Sequence, residues 1–305
     1  MSSTALIVIG HTALDFVYRI DAFPPKPVKV RAREHVTSGG GMAANAACAA
    51  SRLGANTALW SRIGSDPASR IILDELQKFG VDTTHVKVHP ATRSATAAVI
   101  VDAAGERFIV SEDDHAMPMT ADWLPLENIC KANAVLSDLS WIEGTRAAFA
   151  EARARNIPTL VDLDLGSGRL LESVAHLTDY VIASAPALDT FISGNTTEDR
   201  LRTLVNQGAR HAGVTRGSEG YVWTDASGKI NRQPSFRIAV HDTTGAGDAF
   251  HGAFAAALIG GFSDAKCARF AAAAAALNCR GLGARTALPA RADVDALLAT
   301  QPAAI

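Results

Sequence analysis

Short, mostly apolar runs alternate along the chain with longer stretches of helical composition. Runs at 5–9, 57–63, 134–139, 159–163 and 180–184 have the length and aliphatic content of buried strands. Stretches 42–53, 68–79 and 146–155 read as the helices between them. Gly54 and Gly80 follow two of these, where a helix end favours a residue that accepts positive φ. The last third is helical at 248–259, 264–278 and 292–299. This alternation predicts an α/β fold of three layers, αβα, with a mainly parallel central sheet covered by helices on both faces. Ligands of such sheets gather beyond the carboxyl ends of the strands.

Two segments break the rhythm. Residues 14–36 alternate apolar and polar positions around Phe23-Pro24-Pro25-Lys26-Pro27, and 95–111 fold back at Ala103-Ala104-Gly105. Both predict antiparallel strands set apart from the main sheet. No internal repeat, low-complexity tract or linker divides the remainder. Residues 1–305 are therefore expected to form one domain with two insertions.

Composition narrows the class. Of 305 residues 48% are hydrophobic and the formal net charge is −2, which fits a well-buried core and gives no electrostatic reason for a nucleic-acid or membrane partner. No apolar run approaches the roughly 18 residues of a membrane span. The N-terminal residues lack the basic flank of a secretory signal. Cys48, Cys130, Cys267 and Cys279 are scattered without a C-x-x-C pair and predict reduced thiols in a cytoplasmic protein.

The chemistry concentrates in His241-Asp242-Thr243-Thr244-Gly245-Ala246-Gly247-Asp248-Ala249-Phe250. Gly245, Ala246 and Gly247 precede an apolar helix, so their N–H groups are expected to point at an anion from a helix N-terminus. Asp248, in the first turn, is expected to stay ionised there and to accept a proton from an attacking hydroxyl. A phosphate cradle beside a base predicts phosphoryl transfer. No Walker A pattern occurs elsewhere.

This stretch resembles the C-terminal signature of the PfkB (ribokinase-like) carbohydrate kinases, Asp-Thr-x-Gly-Ala-Gly-Asp. Gly39-Gly40-Gly41-Met42-Ala43-Ala44-Asn45, followed by Arg52-Leu53-Gly54, resembles the N-terminal signature of the same family. The resemblance implies a ribokinase-like fold in which segments 14–36 and 95–111 form a small β lid, often shared in a homodimer. It also implies that Gly40, Gly41 and Asn45 bind sugar hydroxyls, with Asp15 at a strand end binding two of them. Val214-Thr215-Arg216-Gly217-Ser218-Glu219-Gly220 resembles the ATP loop, which implies Thr215 and Gly217 near the phosphates and Gly220 shaping the turn. The helix ending at Asn278, with the loop at 281–283, is expected to wall the adenine. The cofactors implied are ATP and Mg²⁺; Asp242 and Thr244 resemble residues beside a monovalent-cation (K⁺) site.

One departure stands out. The family commonly places Asn-x-x-Glu after a central strand, where the acid orders water around magnesium; here the stretch is Ser184-Ala185-Pro186-Ala187-Leu188. Asp162 and Asp164, at the end of an earlier strand, are candidates to orient metal-bound water, with strand-end surface acids the equal alternative.

The expected reaction is transfer of the ATP γ-phosphoryl group to a primary hydroxyl of a ketose-type sugar. Gly105-Glu106-Arg107, Trp141 and His251-Gly252-Ala253 resemble the sulfofructose kinase branch, and Lys29 matches its lid lysine. Ser111 and Ser140 stand where that branch has an asparagine and an arginine. Lys29 and Arg107 are the candidate anion contacts, or else part of a solvated lid face. A neutral sugar such as ribose or fructose, a nucleoside, or a sugar-binding regulator stay open as alternatives. A nicotinamide-dependent Rossmann enzyme is disfavoured, because Gly10-His11-Thr12-Ala13-Leu14-Asp15 lacks the second and third glycines of its fingerprint.

Overall fold

A computed structural model describes residues 5–166 and 168–301. In chain order, β1 (Ala5–Ile9) leads to β2 (Ala13–Arg19), β3 (Glu34–Gly40), helix α1 (Met42–Arg52), β4 (Asn56–Gly64), α2 (Pro67–Lys78) and β5 (Val86–His89). The hairpin β6 (Ala95–Val101) and β7 (Arg107–Glu112) follows, then β8 (Ala134–Ser137), α3 (Ile142–Ala154), β9 (Thr159–Leu163) and β10 (Tyr180–Ser184). Helices α4 (Ala185–Phe191) and α5 (Thr197–Asn206) precede β11 (His211–Thr215), β12 (Tyr221–Asp225) and β13 (Ile230–Gln233). The chain closes with α6 (Ala246–Ile259), α7 (Asp264–Asn278) and α8 (Arg291–Thr300).

The large sheet has the order β13-β12-β11-β10-β9-β8-β1-β4-β5, parallel from β11 to β5 and antiparallel at β12 and β13. Its inner strands are buried on both faces, and their period of two divides them between two cores. Leu6 and Val8 face the α1, α6 and α7 layer, whereas Ile7 and Ile9 face α3, α4 and α5. Local signals set the helix starts: Asp66 accepts from Ser69 N at 3.1 Å ahead of Pro67, and Thr196 and Asp199 form a capping box.

The smaller sheet runs β3-β2-β6-β7. Each of its hairpins is antiparallel, as expected, but the two join through parallel pairing of β2 with β6, Asp15 opposite Ala97. Both strands leave the large sheet in the same direction, so they meet side by side with the same sense. Strand β7 forms one edge, with Phe108, Ile109 and Val110 exposed.

Candidate active site

Helix α6 approaches α1 closely because Gly252 has no side chain; a Cβ there would overlap the carbonyl of Ala46. The approach brings the first turns of two helices together. Asn45 Nδ2 donates to Asp248 Oδ2 at 2.7 Å. Behind Asn45, Arg285 donates from Nε to its Oδ1 at 2.7 Å and from Nη2 to Gly40 O at 2.8 Å.

Asp15 lies on β2 opposite Ser38, next to the glycine run. A Cβ on Gly40 would overlap the Asp15 carboxylate, so the glycine leaves room for that acid. Asp15 is buried, and its carboxylate accepts no hydrogen bond from a described residue. Burial pushes its carboxyl up to about 6, against the opposing pull of Arg285 and His11. A buried carboxylate without donors suits a ligand that brings hydroxyls. Gly41, at φ 86, turns the chain into α1 and packs on the backbone of His11 and Thr12.

The loop before α6 is wound by Gly245, left-handed at φ 72. Its amides differ from expectation in one respect. Ala246 N donates to Thr243 O at 3.2 Å, so this N–H closes the turn and is not free for an anion. Among the described residues, the N–H groups of Gly245, Gly247 and Asp248 have no such partner. Asp242 is fully buried and accepts from Thr244 N at 2.9 Å, Thr244 Oγ1 at 2.8 Å and Gly283 N at 2.7 Å. It fastens the loop to the 281–283 turn. Asn278 Nδ2 reaches Thr244 O at 3.4 Å from below, and its buried Oδ1 lacks a partner.

Asp248 also departs from expectation. Burial, reinforced by Asp164, Asp138 and Asp15, raises its carboxyl to about 7 despite the hydrogen bond from Asn45. Desolvation and neighbouring acids outweigh the helix end, which acts over a single turn of partial charge. Asp162 is also raised well above the usual carboxylate range, by burial first and then by Asp248, Asp164 and Asp138. Its Oδ2 lies 3.2 Å from Nδ1 of buried His251, whose ring also meets Gly247 O at 2.7 Å and Ile182 O at 3.1 Å. Asp164 accepts from Ser184 Oγ at 2.8 Å, and Ser184 caps α4. Among the described residues no group of three or more His, Cys, Asp or Glu forms a direct metal cluster.

The remaining candidates divide. Thr215 ends β11, with its hydroxyl on Ala183 O at 3.3 Å. Gly217 has φ 54, and Gly220 has φ 95 with no space for a Cβ beside Gln233 O. Both glycines are demanded by the turn between β11 and β12. Arg107, on exposed β7, donates to Thr243 Oγ1 at 2.7 Å, which brings the small sheet to the rim of the glycine loop. Lys29 stands exposed between β2 and β3, without a hydrogen bond or ion pair to a described residue. Two contributors were missed. Asp138, after β8, accepts from His11 N at 2.9 Å and Ala43 N at 3.0 Å; its place at a strand end was the available signal. Arg285 sits in a loop with no periodicity, and nothing local marks it.

The sequence profile of the pfkB family carbohydrate kinases matches residues 3–291. The chain belongs to this family. It is a phosphotransferase with an alcohol group as acceptor. This kinase is 30% identical to a ribokinase of Bacillus subtilis (strain 168) over 297 residues, 96% of this chain and 99% of the relative. A crystal structure from Agrobacterium tumefaciens, provisionally assigned as a ribokinase, superposes with a TM-score of 0.93 at 31% identity, covering 98% of both chains. An Arabidopsis thaliana ribokinase solved with ribose and ATP gives a TM-score of 0.81 at 25% identity, with 98% and 99% coverage.

Proposed function

We propose that this kinase transfers the γ-phosphoryl group of ATP to a primary hydroxyl of a ketose-type sugar. The observation that carries the proposal is the meeting of Asp248, unpaired N–H groups at Gly245 and Gly247, and the hydroxyl-binding pair Asp15 and Asn45 around one helix end.

Asp15 accepts from sugar hydroxyls while Asn45 and the Gly40-Gly41 backbone fix the sugar. The acceptor oxygen bonds to the γ-phosphorus, the bond from that phosphorus to its bridging oxygen breaks, and ADP leaves with the electron pair. Asp248 takes the hydroxyl proton. The transition state is largely dissociative, so positioning and charge stabilisation weigh more than base strength. The free amides of Gly245 and Gly247 meet the charge on the moving group; Ala246 keeps the turn. Thr215, Gly217 and Gly220 shape the nucleotide loop, and Asn278 supports the glycine loop from beneath.

Mg²⁺ would neutralise the polyphosphate and, having little direct purchase on the protein, would be held through water by Asp162 and Asp164. The crowding of acids there fits a hard cation. Asp242 and Thr244, whose side chains offer only oxygen donors, are assigned to a K⁺ site in the same way. Lys29 and Arg107 are assigned to the lid side of the acceptor, where a 6-sulfonated fructose would meet them. The exposed apolar edge at Phe108, Ile109 and Val110 supports a homodimer through the small sheet. The described residues are read as one domain with this lid inserted.

The test is an ADP-release assay with ATP, Mg²⁺ and either KCl or NaCl over fructose, sulfofructose, ribose, 2-keto-3-deoxygluconate and nucleosides. A ketose turning over with the highest kcat/KM supports the proposal. Preference for a nucleoside, or no acceptor-dependent ADP at all, overturns it.

A further inference from the structure

Arg285 is a cation sealed inside the protein, 2% exposed, between the glycine run of β3 and the start of α1. Its Nε donates to Asn45 Oδ1 at 2.7 Å and its Nη2 to Gly40 O at 2.8 Å. Nη1 makes no hydrogen bond and lies 3.9 Å from Glu75 Oε1. Glu75 in turn accepts from Gly39 N, and a Cβ on Gly39 would overlap Nη1. Guanidinium and carboxylate together hold both ends of the Gly39-Gly40 segment.

A guanidinium only donates, so the atom of Asn45 facing Arg285 must be the amide oxygen. The amide nitrogen then faces Asp248, where it is found, 2.7 Å from Oδ2. The Asp248 carboxylate asks for the same orientation from the other side, and Arg285 fixes it from behind. The reversed one would put an oxygen against the carboxylate and break the bond to the base. Arg285 also pins the Gly40 carbonyl, which sits beside Asp15.

We propose that Arg285 is a positioning residue for phosphoryl transfer: it sets the orientation of the Asn45 amide and the position of Gly40, so that the sugar-binding loop and the Asp248 base form one hydrogen-bonded unit. This rests on the reaction proposed above. It adds a device from the C-terminal loop, far from both signatures in sequence, that acts on the sugar side without touching the sugar. A misplacement of about 1 Å in such a constellation costs roughly 10²-fold in rate. The effect falls on kcat with the acceptor, and the KM for ATP stays near its wild-type value.

The test compares Arg285→Met, Arg285→Lys, Asn45→Ala and the Arg285→Met/Asn45→Ala double variant. Arg285→Met lowers kcat/KM for the best acceptor about 10- to 100-fold, Arg285→Lys restores part of it through one donor, and the double variant loses less than the product of the two single losses. Multiplying losses in the double variant would overturn the proposal. A second readout needs no substrate: side-chain amide correlations in ¹⁵N-labelled protein. Expected is a displaced or broadened Asn45 side-chain amide in Arg285→Met and Arg285→Lys, with the remaining spectrum native; an unchanged Asn45 amide overturns the proposal. If wild-type protein turns over no acceptor, the reaction assignment fails, and the amide spectra still decide whether Arg285 orients Asn45.

Discussion

Asn45 donates its side-chain amide to the carboxylate of Asp248 across 203 positions of sequence, at 2.7 Å. The contact ties the helix that follows the glycine run to the helix that follows the anion loop. It also stabilises the ionised carboxylate against burial and three neighbouring acids.

Asp248 ionises at about 7, and the ionised form is the one that accepts a proton. kcat/KM for the acceptor, which reports the free enzyme, is expected to rise with pH through that region and flatten above it. Asp248→Asn is expected to lower kcat by at least about 10³-fold while sugar affinity changes little. Stopped-assay pH profiles and calorimetric sugar titration check this; a variant with near-normal kcat would remove Asp248 from the reaction.

Asp15 is raised from 3.8 to about 6 by burial. The folded state therefore keeps its proton to higher pH than the unfolded chain does. Its stabilising contribution is complete below about 4, declines as pH rises and is lost above about 6. Asp15→Asn removes the buried charge, so the variant should gain up to roughly 2–3 kcal/mol at pH 8 and almost nothing at pH 4. Sugar binding should be lost at both. Thermal melts at the two pH values, paired with sugar titrations, decide it; an equal gain at both would show that Asp15 is not a buried charge.

Gly252 lets α6 lie against the backbone of α1 at Ala46. Gly252→Ala is expected to force the helices apart, at a cost of about 1–3 kcal/mol. Because the same two helices carry Asn45 and Asp248, kcat should fall by about 10-fold or more in protein that remains folded. Melting curves and kinetics on one preparation test this. A Tm loss with unchanged kcat would mean that the bond between Asn45 and Asp248 tolerates the displacement.

The large sheet was legible because buried strands leave short aliphatic runs: 5–9, 159–163 and 180–184 coincide with β1, β9 and β10. Helix α3 starts at Ile142, four residues before the expected 146, since Ile142 and Gly144 gave no helical signal. Strands β5 and β13 were not legible, being short edge strands with polar faces. The pairing sense of β2 with β6 depends on where both leave the large sheet, which no local pattern records. At the site, glycines and acids stood in recognisable runs. The partner of the Ala246 amide, the raised carboxyl of Asp248 and the role of Arg285 all depend on what packs nearby in three dimensions.

Asp138 accepts one backbone amide from the segment leading into β2 and another from the start of α1. Both segments, proposed above to hold the acceptor, thus hang from a single interior peg, and Gly10 has no side chain because the peg fills that space. Retuning which molecule is chosen is therefore a task for the outer rim, at 20–33 and along β7, where exchanges leave the peg undisturbed. Variation among relatives with different acceptors would be expected to collect there, and a library built for altered preference should spare residues 10, 11, 43 and 138.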